Sequence, residues 1–389
     1  MRLLLLTLFF EPDLCPGSFR ATALAKALCE VDSSIEIDVL TTLPHRYSSY
    51  CADAPLTEKW DRINIHRIEL PAHKNRMFDQ SISFWSFSRQ VRTFIKGKHY
   101  DLIFATSSRL MTSVLGAWVA SRSKAPLYLD IRDIFVDTIK DVLPKYSGFL
   151  AKPFFASLES WSIKRARKVN LVSKGFASYF EDRYPMHKFS YFTNGIDDDF
   201  LNFQSQAKQE TNSNLPIRIV YAGNIGEGQG LHLILPQLSK RLEGRVNFVV
   251  IGDGSRKKLL KEHLKSIGAS NVQLMAPMSR ELLLEEYKKA DVLFLHLNKY
   301  AAFEKVLPSK IFEYAATGKP IWAGIPGFSA KFVLSEINNA VVFPPCDEIA
   351  AEIALDSLII QDSPRVDFVE KFSRINICKE LAKDILSLI

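Results

Sequence analysis

The sequence predicts an α/β protein made of two doubly wound, Rossmann-like units of similar size. Three observations carry that expectation. The chain has 389 residues, and a domain takes roughly 100–200 residues. Short apolar runs alternate with longer amphipathic segments, the pattern of strands and crossover helices in a parallel sheet. The alternation stops once, at the polar stretch Asn202 to Pro216, and then restarts. The expected organisation is a first Rossmann-like domain over 1–200, a linker over 201–216, a second Rossmann-like domain over 217–365 and a helical segment over 366–389 that packs back across the junction.

In the first half the strands fall at Leu3 to Phe9, Ile35 to Thr41, Ile63 to Ile68, Leu102 to Ala105, Leu127 to Asp130 and Lys168 to Val172. These are short, β-branched or leucine-rich runs bounded by turn residues, as buried strands are. Helices at Phe19 to Cys29, Phe84 to Ile95 and Leu110 to Ser121 separate them. In the second half the strands are Ile217 to Tyr221, Val246 to Ile251, Val272 to Leu274, Val292 to Leu295, Ile321 to Trp322 and Ala340 to Val342. Helices are expected at Leu231 to Leu242, Arg256 to Ile267, Arg280 to Lys289, Pro308 to Ala316 and Glu348 to Ile359. Two such units make a cleft between the carboxyl ends of two sheets, where folds of this class bind ligands.

At 47% hydrophobic and 24% charged residues the composition is that of an ordinary globular protein, which excludes disorder, collagen and coiled coil. Fifty basic against 43 acidic residues leave a net charge of +7, suited to an anionic partner. Five scattered cysteines with no C-x-x-C pair and no neighbouring histidine cluster read as free thiols in a reducing cytoplasm, with no metal site expected. The Leu3 to Phe10 run follows Arg2 as a signal peptide would, but no small-residue cleavage site follows, and Glu11-Pro12-Asp13 ends it as a strand-to-loop turn. No apolar run approaches the roughly 20 residues of a membrane span.

Two glycine-rich turns stand out. Tyr221 to Leu231 (YAGNIGEGQGL) places four glycines in one strand-to-helix loop, where backbone N–H groups can approach a phosphate, and lacks the Lys-Ser/Thr of a P-loop. Gly252-Asp253-Gly254 follows the next strand. The first loop of the chain, with Gly17 and Arg20, precedes a helix in the same way, but a tight turn explains it equally well. The strongest constellation is FEKVLPSKIFEYAATGKPI over 303–321. Pro308 suits a first helical turn, Gly318 its C′ position and Pro320 the next strand. The turn Val306-Leu307-Pro308-Ser309 would present N–H groups to a diphosphate, with Lys310 as counter-charge and Glu313 accepting from a ribose diol. A solvated Lys–Glu pair is the competing reading.

Together YAGNIGEGQGL, IGDG at 251–254, YKKADVLFLHL at 287–297, LPSKIFEYAATGKPI at 307–321 and the opening FEPDLCPGSFRATALAKAL resemble the family 4 retaining glycosyltransferases of the GT-B fold. The nearest likeness is the bacterial branch that transfers N-acetylated amino sugars in O-antigen and capsule assembly. The resemblance covers most of the chain. It implies transfer from a nucleoside diphosphate sugar, a UDP-sugar, with retention of configuration, no metal and no cofactor beyond the donor itself. On the donor side it implies Gly17, Gly223, Asn224, Gly226, Gln229, Gly252, Asp253, Gly254, Val306 to Lys310 and Glu313. In the family's Glu-x7-Glu motif the second position falls on Glu313. The first falls on Lys305, with Glu304 one residue away, so the usual donor-sugar contact is altered. The same departure occurs in Pro-Ser-Lys relatives that place the phosphate by the turn and Lys310. The basic pair common near the restart loop is replaced by Glu227.

On the acceptor side Asp130-Ile131-Arg132-Asp133 resembles the family's D-x-R-D segment. Asp130 or Asp133 would take the acceptor proton and Arg132 would hold a phosphate, although a structural Asp–Arg pair explains the segment equally well. Arg20 and His45 are the other acceptor candidates. In such enzymes the departing phosphate acts as base, so stabilising its charge, with Lys310, is the main catalytic task. The acceptor would be a glycan or a polyprenyl-diphosphate-linked sugar. Aromatics among 142–161 beside Lys164, Arg165, Arg167 and Lys168 suit a peripheral site on the anionic inner face of the cytoplasmic membrane or an ordinary core helix. His296 reads as a satisfied strand-end histidine. An epimerase is disfavoured by the missing G-x-x-G-x-x-G, and a nucleic-acid binder by the broad spread of Lys and Arg; no nucleic acid is expected as a partner.

Overall fold

The computed structural model describes residues 1–44, 53–71, 77–107, 109–136, 145–201, 203 and 215–389. His45, most of the expected linker and part of the aromatic segment before residue 152 lie outside the described residues. The chain forms two compact units, one of residues 1–195 with 374–389 and one of residues 196–373.

In the first unit the elements are β1 (Arg2–Leu6), α1 (Pro16–Val31), β2 (Glu36–Thr42), β3 (Thr57–Trp60), β4 (Ile63–Ile68), α2 (Met77–Phe94), β5 (Leu102–Ser107), α3 (Leu110–Ser123), β6 (Leu127–Ile131), α4 (Lys145–Arg165), β7 (Lys168–Leu171), α5 (Ala177–Glu181) and β8 (Phe189–Ser190). They build one sheet in the order β3-β4-β2-β1-β5-β6-β7-β8. Every pairing is parallel except β3 with β4. Helices cover both faces of such a sheet, so its strands read as unbroken apolar runs, and Leu3 to Leu6 have no exposed surface. Pairing of β1 stops at Leu6, not Phe9, because Leu8, Phe9 and Phe10 bury their side chains in the following loop. Strand β3 was not expected. Its sequence Thr-Glu-Lys-Trp is that of a half-exposed edge, turned back on β4 through Asp61 at φ 48°.

The second unit runs α6 (Asp198–Leu201), β9 (Ile217–Ala222), α7 (Leu231–Arg241), β10 (Val246–Ile251), α8 (Lys257–Ser266), β11 (Val272–Met275), α9 (Arg280–Lys289), β12 (Val292–His296), α10 (Lys310–Ala316), β13 (Ile321–Gly324), α11 (Gly327–Glu336), β14 (Ala340–Phe343), α12 (Glu348–Ser357) and α13 (Val366–Lys371). Its sheet is wholly parallel in the order β11-β10-β9-β12-β13-β14. Chain order reverses between β9 and β12, which makes the loops after those strands the switch point where doubly wound sheets open. Helix α11 is an addition to the expected elements.

The last helix, α14 (Arg374–Leu386), belongs to the first unit. Cys378, Leu381, Ala382 and Ile385 are buried with Leu24, Ala25 and Leu28 of α1 in the first unit's core. Both units are therefore Rossmann-like α/β domains, as expected from the alternation. Among the described residues no helix is long and apolar enough to cross a membrane.

Candidate nucleotide site and the acceptor-side segment

The loops after β9 and β10 meet backbone to backbone. Gly223 N–H donates to Ile251 O at 2.8 Å and Ile225 N–H to Asp253 O at 2.8 Å. A Cβ on Gly252 would stand 1.8 Å from Gly223 O, and its φ of +150° suits only glycine. Gly223, at φ +142°, holds a backbone conformation that favours glycine, and Lys310 Nζ stands 1.8 Å from where a Cβ would lie. The lysine that opens α10 thus lies against the bare backbone that ends β9. Asn224 and Gln229 close the loop through a side-chain hydrogen bond of 2.8 Å, next to Gly226. Gly254 closes the neighbouring turn, its N–H bonded to Asp253 Oδ1 at 2.8 Å.

Lys310 makes no hydrogen bond or ion pair among the described residues, and its ammonium stands 5.0 Å from the centre of the Tyr221 ring. Burial pushes it down to about 8, against the pull of the Glu313 carboxylate. Glu313 is only 9% exposed on the same short helix. Beside it, the hydroxyl of Tyr314 accepts the Ala222 N–H at 3.2 Å, tying α10 to the end of β9.

Helix α10 begins at Lys310, two residues later than expected, with Pro308 O accepting from Ile311 N–H at 3.2 Å. Gly318 follows it at φ +73° as the expected cap. One backbone donor expected for the diphosphate is already used: Val306 N–H bonds to Phe303 O at 3.3 Å. The N–H groups of Leu307, Ser309 and Lys310 have no backbone partner among the described residues. Glu304 packs against Gly327, where a Cβ would stand 2.1 Å from the Glu304 carbonyl oxygen.

His296 is a fastener. Its Nδ1–H donates to Gln229 O at 2.7 Å and its Nε2 accepts from Cys346 N–H at 3.0 Å, which fixes a neutral tautomer. Burial pushes the ring down to about 4. Glu227, which replaces the basic pair, is held by Arg256 and by Tyr300 Oη at 2.7 Å.

In the first unit the structure corrects two expectations. Asp130 is not placed to take a proton. It is buried at the end of β6, and its carboxylate accepts from Arg20 Nε at 3.0 Å, Arg20 Nη2 at 2.9 Å, Asn170 Nδ2 at 2.7 Å and Thr106 Oγ1 at 3.3 Å. Burial raises such a group, but the Arg20 guanidinium and these donors hold it below the usual carboxylate range. Arg20 is 2% exposed, so it is a brace and not an acceptor contact; its remaining donors reach Thr193 O at 2.6 Å and Phe192 O at 2.9 Å. Asp133 is exposed and accepts from its neighbour's Ile134 N–H at 2.9 Å. Arg132 keeps a weak 3.5 Å contact to Asn194 Oδ1, and burial pushes it down to about 10. Gly17 lies in the first turn of α1, where a Cβ would make ordinary contacts, so nothing there demands glycine.

Residues 202–373 match the family described as glycosyl transferases group 1, and residues 18–195 match the glycosyl transferase 4-like domain. The chain belongs to the GT-B glycosyltransferases. An Escherichia coli (strain K12) protein assigned to colanic acid biosynthesis as a glycosyl transferase, WcaI, is 27% identical over 158 residues. That match covers 40% of this chain and 38% of the relative. Among solved structures, sucrose-phosphate synthase of Thermosynechococcus elongatus superposes with a TM-score of 0.74 at 13% identity over 100% of this chain and 99% of its own. The Anabaena protein HepE in complex with UDP-glucose superposes with a TM-score of 0.67 at 15% identity over the full length of both. Identities this low establish the fold.

In this glycosyltransferase two groups near Glu313 escaped the sequence. Arg280 opens α9 and reaches Asp197 and Asp199, 83 and 81 residues earlier in the chain, with nothing local to mark it. Arg365 is 6% exposed and donates to Ala315 O at 3.0 Å and Lys319 O at 3.0 Å, holding the carboxyl end of α10. Tyr314 was visible as part of the 307–321 segment, but its hydroxyl bond to β9 was not.

Proposed function

We propose that this glycosyltransferase moves an N-acetylated amino sugar from a UDP-sugar to a glycan or lipid-linked acceptor in surface polysaccharide synthesis, with retention of configuration. The observation that carries the reading is the Lys310–Glu313 pair on α10, with the Lys310 ammonium set against the bare backbone of Gly223. Lys310 neutralises the leaving diphosphate and Glu313 accepts from the ribose diol. The anomeric C–O bond breaks, a diphosphate oxygen takes the acceptor hydroxyl proton, and the new glycosidic bond forms on the same face. No protein nucleophile is required, and charge stabilisation on the diphosphate is the largest catalytic contribution. Arg132 and the exposed Asp133 are the acceptor-side groups of the first unit. The bound UDP-glucose named for HepE supports a uridine donor.

A panel of UDP- and GDP-sugars screened for thermal stabilisation tests the donor class, since a ligand of the native state raises the melting temperature. Stabilisation by UDP compounds is expected; stabilisation by GDP and not UDP contradicts it. Glu313→Ala is expected to lower UDP affinity by about 1.5–3 kcal/mol, one charge-assisted hydrogen bond, and unchanged affinity in calorimetry removes Glu313 from the site.

The protein is also proposed to attach peripherally to the inner face of the cytoplasmic membrane. Helix α4 exposes Phe154 and Trp161 and ends in Lys164 and Arg165. Cosedimentation with phosphatidylglycerol vesicles is expected at low salt and should weaken in Phe154→Ser/Trp161→Ser. Equal recovery of both proteins in the supernatant argues against attachment.

A further inference from the structure

Tyr221, the first residue of YAGNIGEGQGL, is buried near the end of β9. It belongs to the second unit's core with Ile225, Leu231, Phe248 and Val250, and that packing fixes its ring. Its hydroxyl donates to Asn224 O at 2.6 Å, which ties the ring to the glycine turn that follows the strand. The Lys310 ammonium stands over the same ring, 5.0 Å from its centre. Both groups converge on Gly223: from where a Cβ would lie, Lys310 Nζ is 1.8 Å away and Tyr221 Oη 3.7 Å. An aromatic face carries negative charge density and attracts an ammonium within about 6 Å, most strongly away from water. Lys310 has neither a hydrogen bond nor an ion pair among the described residues, so the ring is the contact that fixes where its charge sits. A ring face, unlike a carboxylate, holds a cation without neutralising it.

We propose that Tyr221 is a positioning residue for Lys310: its ring seats the ammonium beside Gly223 and its hydroxyl locks that seat to the Asn224 turn, so that cation and turn meet a diphosphate as one preformed site. The proposal rests on the reading of Lys310 as the diphosphate contact. Tyr221 acts through Lys310 and touches no substrate. A lysine chain held in advance loses less freedom on binding, so loss of the ring weakens recognition of the diphosphate and leaves that of the nucleoside. The ring also favours the charged lysine. The other titratable groups beside Lys310 lie on its own helix: Glu313, which pulls its pKa up against burial, and Tyr314, whose hydroxyl is turned to the Ala222 N–H.

The test is a calorimetric comparison of UDP with uridine, which lacks the diphosphate. In Tyr221→Leu, which removes the ring, UDP affinity at pH 7 is expected to fall about five- to thirtyfold, with uridine affinity as in the wild-type protein. In a Lys310→Met background Tyr221→Leu should cost nothing further. Tyr221→Phe made with phenylalanine carrying one, two or three fluorines keeps the shape of the ring, drains its negative face step by step, and serves if Tyr221→Leu does not fold. A weaker face disfavours the charged lysine, so the pH above which UDP affinity declines should move down from about 8 with each fluorine, by about one unit over the series. A tyrosine that only fills the core moves neither the ratio of UDP to uridine affinity nor that pH. An unchanged ratio in folded Tyr221→Leu, an equal loss for both ligands, a further loss in the Lys310→Met background, or a pH that ignores the fluorines overturns the proposal. A Lys310→Met variant that binds UDP as well as the wild-type protein contradicts the reading of Lys310 itself.

Discussion

Lys310→Met should lower kcat/KM by two to three orders of magnitude, about the effect of removing one preorganised donor from a developing oxyanion, while leaving the ligand-free protein as stable as before or more so. The second half of that result separates a functional lysine from a structural one. Lys310 sits at about 8 in the folded protein against an ordinary 10.5. A lysine whose pKa is depressed by folding binds its proton less tightly in the native state than in the unfolded chain. Below pH 8 it therefore opposes folding, and stability recovers as pH rises from about 8 towards about 10.5. Methionine has a similar volume and no charge to desolvate, so Lys310→Met should abolish that rise and melt no lower at pH 7. Paired melting curves at pH 7 and pH 9.5 check it. A large loss of stability in the variant would show that the ammonium has a partner in the fold.

The largest effect on stability is expected in the first unit. Arg20 and Asp130 are both buried and close at 2.9 Å. Removing one partner leaves the other as an uncompensated buried charge, at a cost of about 3–5 kcal/mol. For a domain of this size that is a fall of roughly 6–20 °C in melting temperature. Arg20→Ala and Asp130→Ala should both show it in calorimetry of the purified protein. The double variant Arg20→Met/Asp130→Leu should recover much of the loss, because a buried ion pair replaced by apolar groups is often neutral. UDP affinity should stay within twofold or so in whatever variant remains folded, since the pair lies in the first unit and the Lys310 site in the second. Loss of UDP binding in a folded Asp130 variant would return this residue to the chemistry.

The sequence alone made the segments with local causes legible. Leu3 to Leu6 and Val292 to His296 are strands buried on both faces, and such runs announce themselves. The helix at Lys310 is bounded by a proline and a glycine that act within one turn. Four features were not legible, each for a physical reason. The Arg20–Asp130 pair joins residues 110 apart, so a motif-like Asp-Ile-Arg-Asp segment gives no sign that its first carboxylate turns inward. Arg280 finds Asp197 and Asp199 only because α9 runs beside the segment that opens the second unit. Strand β3 has a polar composition because it forms the half-exposed edge of its sheet. Val306, offered by spacing as a free donor, is taken by Phe303 in a short helical turn that only the folded backbone reveals.

The proton on Lys310 reports directly on whether a diphosphate binds beside it. A diphosphate beside the ammonium restores the charge that burial weakens, so UDP binding above pH 8 must draw a proton from the buffer. Calorimetric titration of UDP at pH 9 in two buffers of different ionisation enthalpy measures that proton directly. Uptake approaching one proton per site, absent in Lys310→Met, and an affinity falling about tenfold per pH unit above 8, are the expected results. UDP binding with no proton uptake, at equal affinity in Lys310→Met, would place the nucleotide elsewhere.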